Sequence, residues 1–224
     1  MADTISELVA ARVGDDRVGL VFEGQTWAWG DVVEESLARA SLLRQSGLAG
    51  THIGVLLDNL PEYFFLLCAA ALTKSVVVGA NDTRRGEALA GDLRHTDCAV
   101  ILTDSSKAHL LAGVDAGAPV RLVDDSRWAE EVGQHRGARV PDDVPRAETL
   151  FLLVFTSGST GAPKAVRVSQ GRAVRMMSGA AAVYTDADIL YCTMPMFHLN
   201  ALMGSLFPAL SAGSRVVLKR RFSA

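Results

Sequence analysis

The amino-acid sequence predicts an α/β fold in which largely parallel sheets are flanked by helices. The first observation is a set of short apolar runs, 53–57, 76–78 and 99–102, in which hydrophobic and polar residues do not alternate. Runs of this kind are typical of strands that are buried on both faces. The second observation is that helical patterns alternate with these runs, as expected where helices cover a parallel sheet. With 224 residues, 49% of them hydrophobic, the chain is long enough to bury a core.

The first predicted elements are two helices with a strand between them. Apolar residues at helical spacing predict a helix over 31–45. After the strand, Asn59 is a candidate helix cap, Pro61 suits the first helical turn, and Glu62 lies three residues after the cap. The apolar stretch 63–72 has a length of about ten residues, half of the ~20 that a membrane span needs. We therefore predict a buried helix there and no transmembrane segment.

The alternation continues to the end of the chain. The further predicted elements are helices at 84–93, 106–111 and 126–134, strands at 150–155 and 165–168, a helix that Ser169 could cap, and a strand at 215–218. The stretch 136–148 contains glycine, proline and aspartate with little periodicity, which is typical of a surface connection. We place a boundary there, between an N-terminal α/β subdomain, 1–147, and an incomplete second subdomain, 148–224.

Charge, cysteines and the N-terminus limit the classes of function. The net charge of -3 and the isoelectric point near 5.9 give no positive field that would attract nucleic acid. The basic run 219–221 is predicted to be a solvated strand end. Cys68, Cys98 and Cys192 lie far apart and form no Cys-x-x-Cys pair, so buried, reduced thiols are expected. The N-terminus is acidic and lacks an apolar signal-peptide region, which favours a cytoplasmic location.

The segment 156–164 is the strongest candidate for a binding site. It follows an apolar run and contains residues that suit a polyphosphate: Thr156, Ser157, Gly158, Ser159, Thr160, Gly161 and Lys164. Glycines let successive N–H groups point into one concavity, hydroxyls add donors, and the lysine supplies charge. A Walker A loop is disfavoured, because Pro163 precedes the lysine, Ala165 follows it, and a strand is predicted where that motif needs a helix. A plain turn is the alternative for this composition taken alone.

The order Phe-Thr-Ser-Gly-Ser-Thr-Gly-Ala-Pro-Lys, ending at Lys164, resembles the signature loop of the adenylate-forming enzymes. This family includes acyl-CoA synthetases, firefly luciferase and the adenylation domains of peptide synthetases. Further segments in the family's order cover essentially the whole chain: 27–29, 54–62, 76–81 and 194–198. Segments 81–89 and 197–201 look most like a branch of actinobacterial fatty-acid–CoA ligases. Ala165 and Ala201 stand where the family has glycine, and Ala165 excludes loop conformations open only to glycine.

The resemblance implies the N-terminal part of the large domain of an adenylate-forming enzyme. The implied reaction is ATP-dependent activation of a carboxylic acid, here a fatty acid, to an acyl-adenylate, followed by thioester formation with CoA. ATP, Mg²⁺ and CoA are the implied co-substrates, and the loop residues would hold the ATP phosphates. His198 would orient the substrate or gate the acyl pocket, although such a histidine, taken alone, is more often a satisfied core or turn residue. No metal ligand is predicted, and the other four histidines are expected to be surface or packing residues.

In the family, the adenine contacts, a magnesium-binding segment and the C-terminal domain come later in the sequence than any segment matched here. The chain is therefore expected to be a fragment of roughly two-fifths of a family member, inactive without the missing C-terminal part. A non-catalytic nucleotide- or acyl-binding remnant stays open as a different class of function. An acyl-AMP ligase that passes the acyl group to a carrier protein also stays open. The acyl chain length and the oligomeric state are not predicted.

Overall fold

The structure, a computed structural model, describes residues 2–156 and 164–221. The strands are β1 Val18–Phe22, β2 Gln25–Ala28, β3 His52–Leu56, β4 Val76–Gly79, β5 Cys98–Thr103, β6 Val120–Leu122, β7 Leu150–Thr156, β8 Lys164–Ser169, β9 Ile189–Cys192 and β10 Arg215–Leu218. The α-helices are α1 Ile5–Ala10, α2 Trp29–Gln45, α3 Pro61–Thr73, α4 Gly86–His95, α5 Ser126–Gln134, α6 Gln170–Ala181, α7 Leu199–Ala201 and α8 Phe207–Ala212. A 3₁₀-helix covers Ala108–Leu111, and a π-helical segment, Leu202–Leu206, joins α7 to α8.

The strands form two sheets that are parallel except at two edges. The four-stranded sheet has the order β2-β1-β10-β9, and the six-stranded sheet has the order β6-β5-β3-β4-β7-β8. Only β2 and β8 pair antiparallel to their neighbours among the described strands. The predicted α/β class with largely parallel sheets is confirmed. Both sheets combine strands from the two sides of the connection 136–148, and the subdomain boundary stays a prediction.

Helix α3 lies in the core and contacts both sheets. Its residues from Tyr63 to Thr73 are all buried, and it packs on α2 and on β4. Phe64 meets Trp29 edge to face at a centroid distance of 6.2 Å, and Phe65 meets Trp27 of β2 in the same way at 6.0 Å. The predicted buried helix is confirmed. Within the described residues, no helix combines the length and the apolar character needed to cross a bilayer.

The predicted cap of this helix is wrong. Leu60 occupies the N-cap position and Pro61 is the first helical residue, with no side-chain cap bond. The Asn59 side chain instead bonds to the backbone of two segments from the other sheet. Glu62 is an ion-pair partner of Arg39 and accepts a hydrogen bond from the Trp128 indole at 3.0 Å. Tertiary partners therefore compete successfully with the local capping bonds that the spacing suggested.

Other local predictions agree more closely with the structure. Ser169 caps α6 by accepting a bond from the Arg172 N–H at 3.3 Å, and α5 has the predicted bounds. Only the second part of the predicted helix 106–111 is helical, as a 3₁₀ turn. The three cysteines are buried and free. Sequence reasoning missed short elements that lack strong periodicity: α1, β1, β2, β6, β9, α7 and α8.

Candidate active site at the carboxyl edge of the six-stranded sheet

The carboxyl ends of the five parallel strands define one edge of the six-stranded sheet. Gly79 at the end of β4 pairs with Val55 of β3 on one side and with Val154 of β7 on the other. Strand β5 pairs with β3 in the same direction and ends at Thr103. Residues that follow parallel strands are brought together at such an edge, where ligands of open α/β sheets bind. The segments that directly follow these strands are therefore candidates for a ligand site.

The two residues that flank the centre of the predicted phosphate loop lie at this edge. Thr156 is the last residue of β7, and its partner in the antiparallel pair with β8 is Lys164, whose side chain is exposed. The strand β8 begins at Lys164, so no helix starts there, and the exclusion of a Walker A site is confirmed. The remaining predicted phosphate ligands lie outside the described residues: Ser157, Gly158, Ser159, Thr160 and Gly161.

A segment from the other sheet brings His198 to the same edge. After β9 the chain crosses to the end of β4, where Phe197 packs against Gly79 so closely that a Cβ at position 79 would lie 3.0 Å from the Phe197 Cα. Only glycine leaves room for this approach. The exposed imidazole of His198 lies beside the Phe197 ring, at a centroid distance of 4.3 Å. Gly79 lies in β4, which pairs with β7 through Val154. Phe197 therefore packs on the strand next to β7, and His198 is the residue that follows it. The role predicted for His198 stays a prediction.

A cleft of about 500 Å³ opens between the carboxyl ends of the two sheets. Its walls come from the residues that follow β3, β4, β5, β9 and β10. They include Asp58, Asn59, Asp82, Arg85, Ser106, Lys107, His109, Thr193, Phe197, Arg220 and Arg221. The cleft and the candidate residues His198, Thr156 and Lys164 thus belong to one edge of the molecule.

An ion cluster around the buried side chains of Asp58 and Lys107 lines the cleft. Lys107, whose side chain is 7% exposed, lies 2.7 Å from Asp58 Oδ1 and also pairs with Asp82. Arg221 reaches the second oxygen of Asp58 at 2.9 Å. Burial alone would raise the pKa of Asp58, but the hydrogen bonds from Lys107 and Arg221 outweigh it and hold that pKa below its usual value. Burial alone would lower the pKa of Lys107, whereas its two carboxylate partners raise it. Asp58 and Lys107 are therefore both ionised at neutral pH.

Additional cations line the cleft wall. Arg220 lies over the Phe22 ring at 5.2 Å and is neutralised by Glu23, with both contacts at 2.9 Å. Arg85 is exposed, and its contacts among residues 2–156 and 164–221 are with backbone carbonyls, that of Arg84 at 2.8 Å among them. A guanidinium without a carboxylate partner is well suited to bind a phosphate.

Sequence reasoning missed this cluster. The run 219–221 follows the end of β10 and is exposed, and His109 is exposed, as predicted. Sequence reasoning did not predict that Arg220, Arg221 and His109 line one cleft. One signal in the sequence could have found it. Asp58 and Asp82 follow the predicted strands 53–57 and 76–78 within four residues, and Lys107 lies five residues after the predicted strand 99–102. The rule that parallel strands end at one edge would have placed these charges together.

Residues 7–224 match the model of the family described as AMP-binding enzyme. The chain belongs to the AMP-binding enzyme family. This match bears out the resemblance to adenylate-forming enzymes drawn from the loop sequence.

Curated relatives of this AMP-binding chain include two actinobacterial CoA ligases. The chain is 47% identical to steroid-22-oyl-CoA synthetase of Rhodococcus jostii over 231 residues, which cover 99% of this chain and 41% of the relative. It is 36% identical to the medium/long-chain-fatty-acid–CoA ligase FadD17 of Mycobacterium tuberculosis over 229 residues, which cover 99% of this chain and 44% of the relative. The chain thus spans less than half the length of these relatives.

Solved structures of the same architecture agree with the fold. The N-terminal domain of FACL13 from Mycobacterium tuberculosis superposes with a TM-score of 0.85 at 17% identity, over 99% of this chain and 58% of that one. The structure of VinN gives a TM-score of 0.85 at 26% identity, over 96% of this chain and 56% of that one. The α/β fold of the N-terminal part of an adenylate-forming enzyme is therefore shown for this AMP-binding chain.

Proposed function

We propose that this protein takes part in the ATP-dependent activation of a carboxylic acid to an acyl-adenylate, followed by thioester formation with CoA. The observation that supports this most is the common edge: Lys164 and Thr156 flank the phosphate loop there, and His198 reaches it from the other sheet. The names of the relatives favour a fatty acid or a steroid side-chain acid as substrate. A cytoplasmic location, where ATP and CoA are available, fits this proposal.

The first step is attack of the substrate carboxylate on the α-phosphate of ATP. One oxygen of the carboxylate forms a bond to phosphorus, and the bond from phosphorus to the bridging oxygen of pyrophosphate breaks. This step needs no protein nucleophile, because in-line positioning and neutralisation of phosphate charge supply the catalysis. Lys164 and the loop hydroxyls would hold the departing pyrophosphate, and His198 would orient the carboxylate.

The second step is attack of the CoA thiolate on the acyl carbon, with AMP as the leaving group. The cleft would receive the phosphates of CoA, since Arg85 is a guanidinium without a described carboxylate partner and lies on its wall. Magnesium enters as the ion of the MgATP substrate. Among residues 2–156 and 164–221, no three His, Cys, Asp or Glu side chains are grouped to hold a metal ion.

The test of this function is acid-dependent release of AMP by the protein in its natural length. The assay supplies MgATP, CoA and a panel of medium-chain, long-chain and steroid side-chain acids, and product thioesters are identified by mass. We expect AMP and acyl-CoA in equal amounts with at least one acid. Acyl-adenylate that forms but is not transferred to CoA would point to an acceptor thiol on a carrier protein. Nucleotide binding without any turnover would indicate a non-catalytic remnant and would refute the proposal.

A further inference from the structure

Asn59 connects the two sheets at the candidate site. Its side chain is 3% exposed and makes three hydrogen bonds to backbone groups of the other sheet's strand ends. The amide Nδ2 donates to the Met194 carbonyl at 2.9 Å and to the Lys219 carbonyl at 3.1 Å, and Oδ1 accepts from the Met196 N–H at 2.9 Å. These segments follow β9 and β10, whereas Asn59 follows β3.

A primary amide is well matched to this position. It offers two N–H donors and one carbonyl acceptor, and all three groups have partners here. Aspartate has the same shape, but its carboxylate would face two carbonyl oxygens without a donor. Alanine would leave the Met194 and Lys219 carbonyls and the Met196 N–H without these partners in a buried place, which costs about 1–3 kcal/mol for each unsatisfied group.

The segment that Asn59 holds is the one that ends at His198. Met196 lies two residues before His198, and the His198 N–H donates to the Pro195 carbonyl at 3.0 Å, which closes a turn. The segment is also supported by the packing of Phe197 on Gly79, by the burial of Met196 in the core and by a contact from the Cys192 thiol to the Met194 carbonyl at 4.0 Å. The side-chain amide of Asn59 thus holds the first part of the segment 194–198, and the contact of Phe197 with Gly79 holds the last part.

We propose that Asn59 is a positioning residue that determines where the His198 imidazole lies. By fixing residues 194–196 to the end of β3, it places His198 beside the strand ends from which the predicted phosphate loop leaves the sheet. Asn59 itself acts through the backbone of another segment. The role of the His198 position in catalysis rests on the proposed function. The claim that Asn59 determines this position does not.

The first test measures the position of His198 without any activity. The His198 ring resonances are assigned in a ¹H–¹³C spectrum with the His198→Asn variant, and the spectra of Asn59→Ala and Asn59→Asp are compared with that of the wild-type chain. We expect the His198 signals to shift or broaden in both variants. The signals of His52 and His135, which bond to Thr96 and Ser41 in other parts of the fold, should stay in place.

Gln170 provides a matched control, because it is a second buried amide with backbone partners in two other segments. It is 0% exposed, accepts from the Ser6 N–H at 3.2 Å and donates to the Ala71 carbonyl at 2.9 Å. Gln170→Ala should lower the melting temperature as Asn59→Ala does, but should leave the His198 signals unchanged. Unchanged His198 signals in folded Asn59 variants would overturn the proposal. If Asn59→Ala does not fold, the isosteric Asn59→Asp supplies the same comparison.

The second test uses the natural-length protein and a double-mutant cycle. We expect Asn59→Ala to reduce kcat for adenylate formation by about 10-fold or more, with KM for ATP changed by less than about 2-fold, because the loss is one of orientation. In a His198→Ala background, Asn59→Ala should have little further effect on kcat. Fully additive effects would overturn the proposal. If the wild-type protein shows no acid-dependent turnover, the proposed function fails, and the spectroscopic comparison still decides the role of Asn59.

Discussion

Lys164 is the member of the predicted phosphate loop whose side chain the structure describes. It is exposed, pairs with Thr156 at the end of the β7–β8 ladder, and has no part in the core. Its residue type and its place at the carboxyl edge are what a phosphate ligand requires. The sequence predicts this residue as a phosphate ligand, because the order of residues that ends at Lys164 resembles the signature loop of the adenylate-forming enzymes.

Lys164→Ala should reduce the rate of acid-dependent pyrophosphate release by about 100-fold, since one charged partner of the departing group is lost. The melting temperature should stay within about 1 °C of wild type, because the side chain is exposed. Pyrophosphate release and thermal unfolding are measured on the same preparation. Lys219→Ala, which removes another exposed strand-end lysine, is the matched control and should keep wild-type activity. A fully active Lys164→Ala protein would contradict the role of the loop lysine.

Arg85 tests the proposed place of CoA. Its side chain lines the cleft and donates to backbone carbonyls. Arg85→Ala should raise KM for CoA by about 10-fold and leave KM for ATP unchanged, since a charge-assisted phosphate contact contributes about 1.5–3 kcal/mol at most. Steady-state kinetics with each substrate varied in turn measures both constants. Arg127→Ala removes an arginine whose side chain is 82% exposed on α5 and is the control. An equal rise in both KM values would argue against a separate CoA site in the cleft.

Asp58 governs how the stability of the cleft depends on pH. The pKa of Asp58 in the folded protein lies below its usual value, because the bonds from Lys107 and Arg221 outweigh burial. Its contribution to stability is therefore complete above the unfolded pKa of about 4 and is lost as pH falls through the lower folded value. Asp58→Asn should lower the free energy of unfolding at pH 7 by about 3 kcal/mol, and the loss should shrink towards pH 2. Urea unfolding from pH 7 to pH 2 measures it, and a loss that does not change with pH would refute this assignment.

Helices α2, α3 and α5 are joined by a buried ionic network that illustrates the element scale. Arg39 of α2 is 7% exposed, pairs with Glu62 of α3 and with Glu35 at 2.6 Å, and lies over the Phe65 ring at 4.9 Å. Trp128 of α5 donates its indole N–H to Glu62 at 3.0 Å. The sequence predicted each of these helices, with α2 indicated by helical spacing and α3 by its apolar run and its start signals. It did not predict the network, because its members are far apart in sequence and Glu62 also fitted a local capping pattern.

Glu62→Gln should destabilise the protein by about 3 kcal/mol, since it leaves the buried Arg39 with a single carboxylate partner. Arg127→Ala breaks an exposed pair with Glu131 in α5 and should cost less than about 1 kcal/mol. Urea unfolding at pH 7 gives both values. Equal losses from the two substitutions would show that the network contributes no more than a surface pair.

At the scale of the whole molecule, the sequence was sufficient to predict the fold class, but only some of the residues at the candidate site could be predicted from it. Unbroken apolar strands and alternating helices were sufficient for a parallel α/β fold, because burial on both faces of a strand is visible in its composition. The pairing of β1 with β10 was not visible, since strands almost 200 residues apart in sequence meet only in the folded chain. The cleft could not be predicted either, because its walls come from the ends of five strands. The bonds of Asn59 could not be predicted because its three partners follow strands of the other sheet.

The central claim is that this edge activates a carboxylic acid with ATP, and isotope exchange between pyrophosphate and ATP measures that step alone. The natural-length protein is incubated with MgATP, labelled pyrophosphate and single acids from the fatty and steroid side-chain classes, without CoA. The account predicts label in ATP only when an acid is present, and a loss of about 100-fold in Lys164→Ala. A folded protein that gives no exchange above the acid-free control with any acid would contradict it.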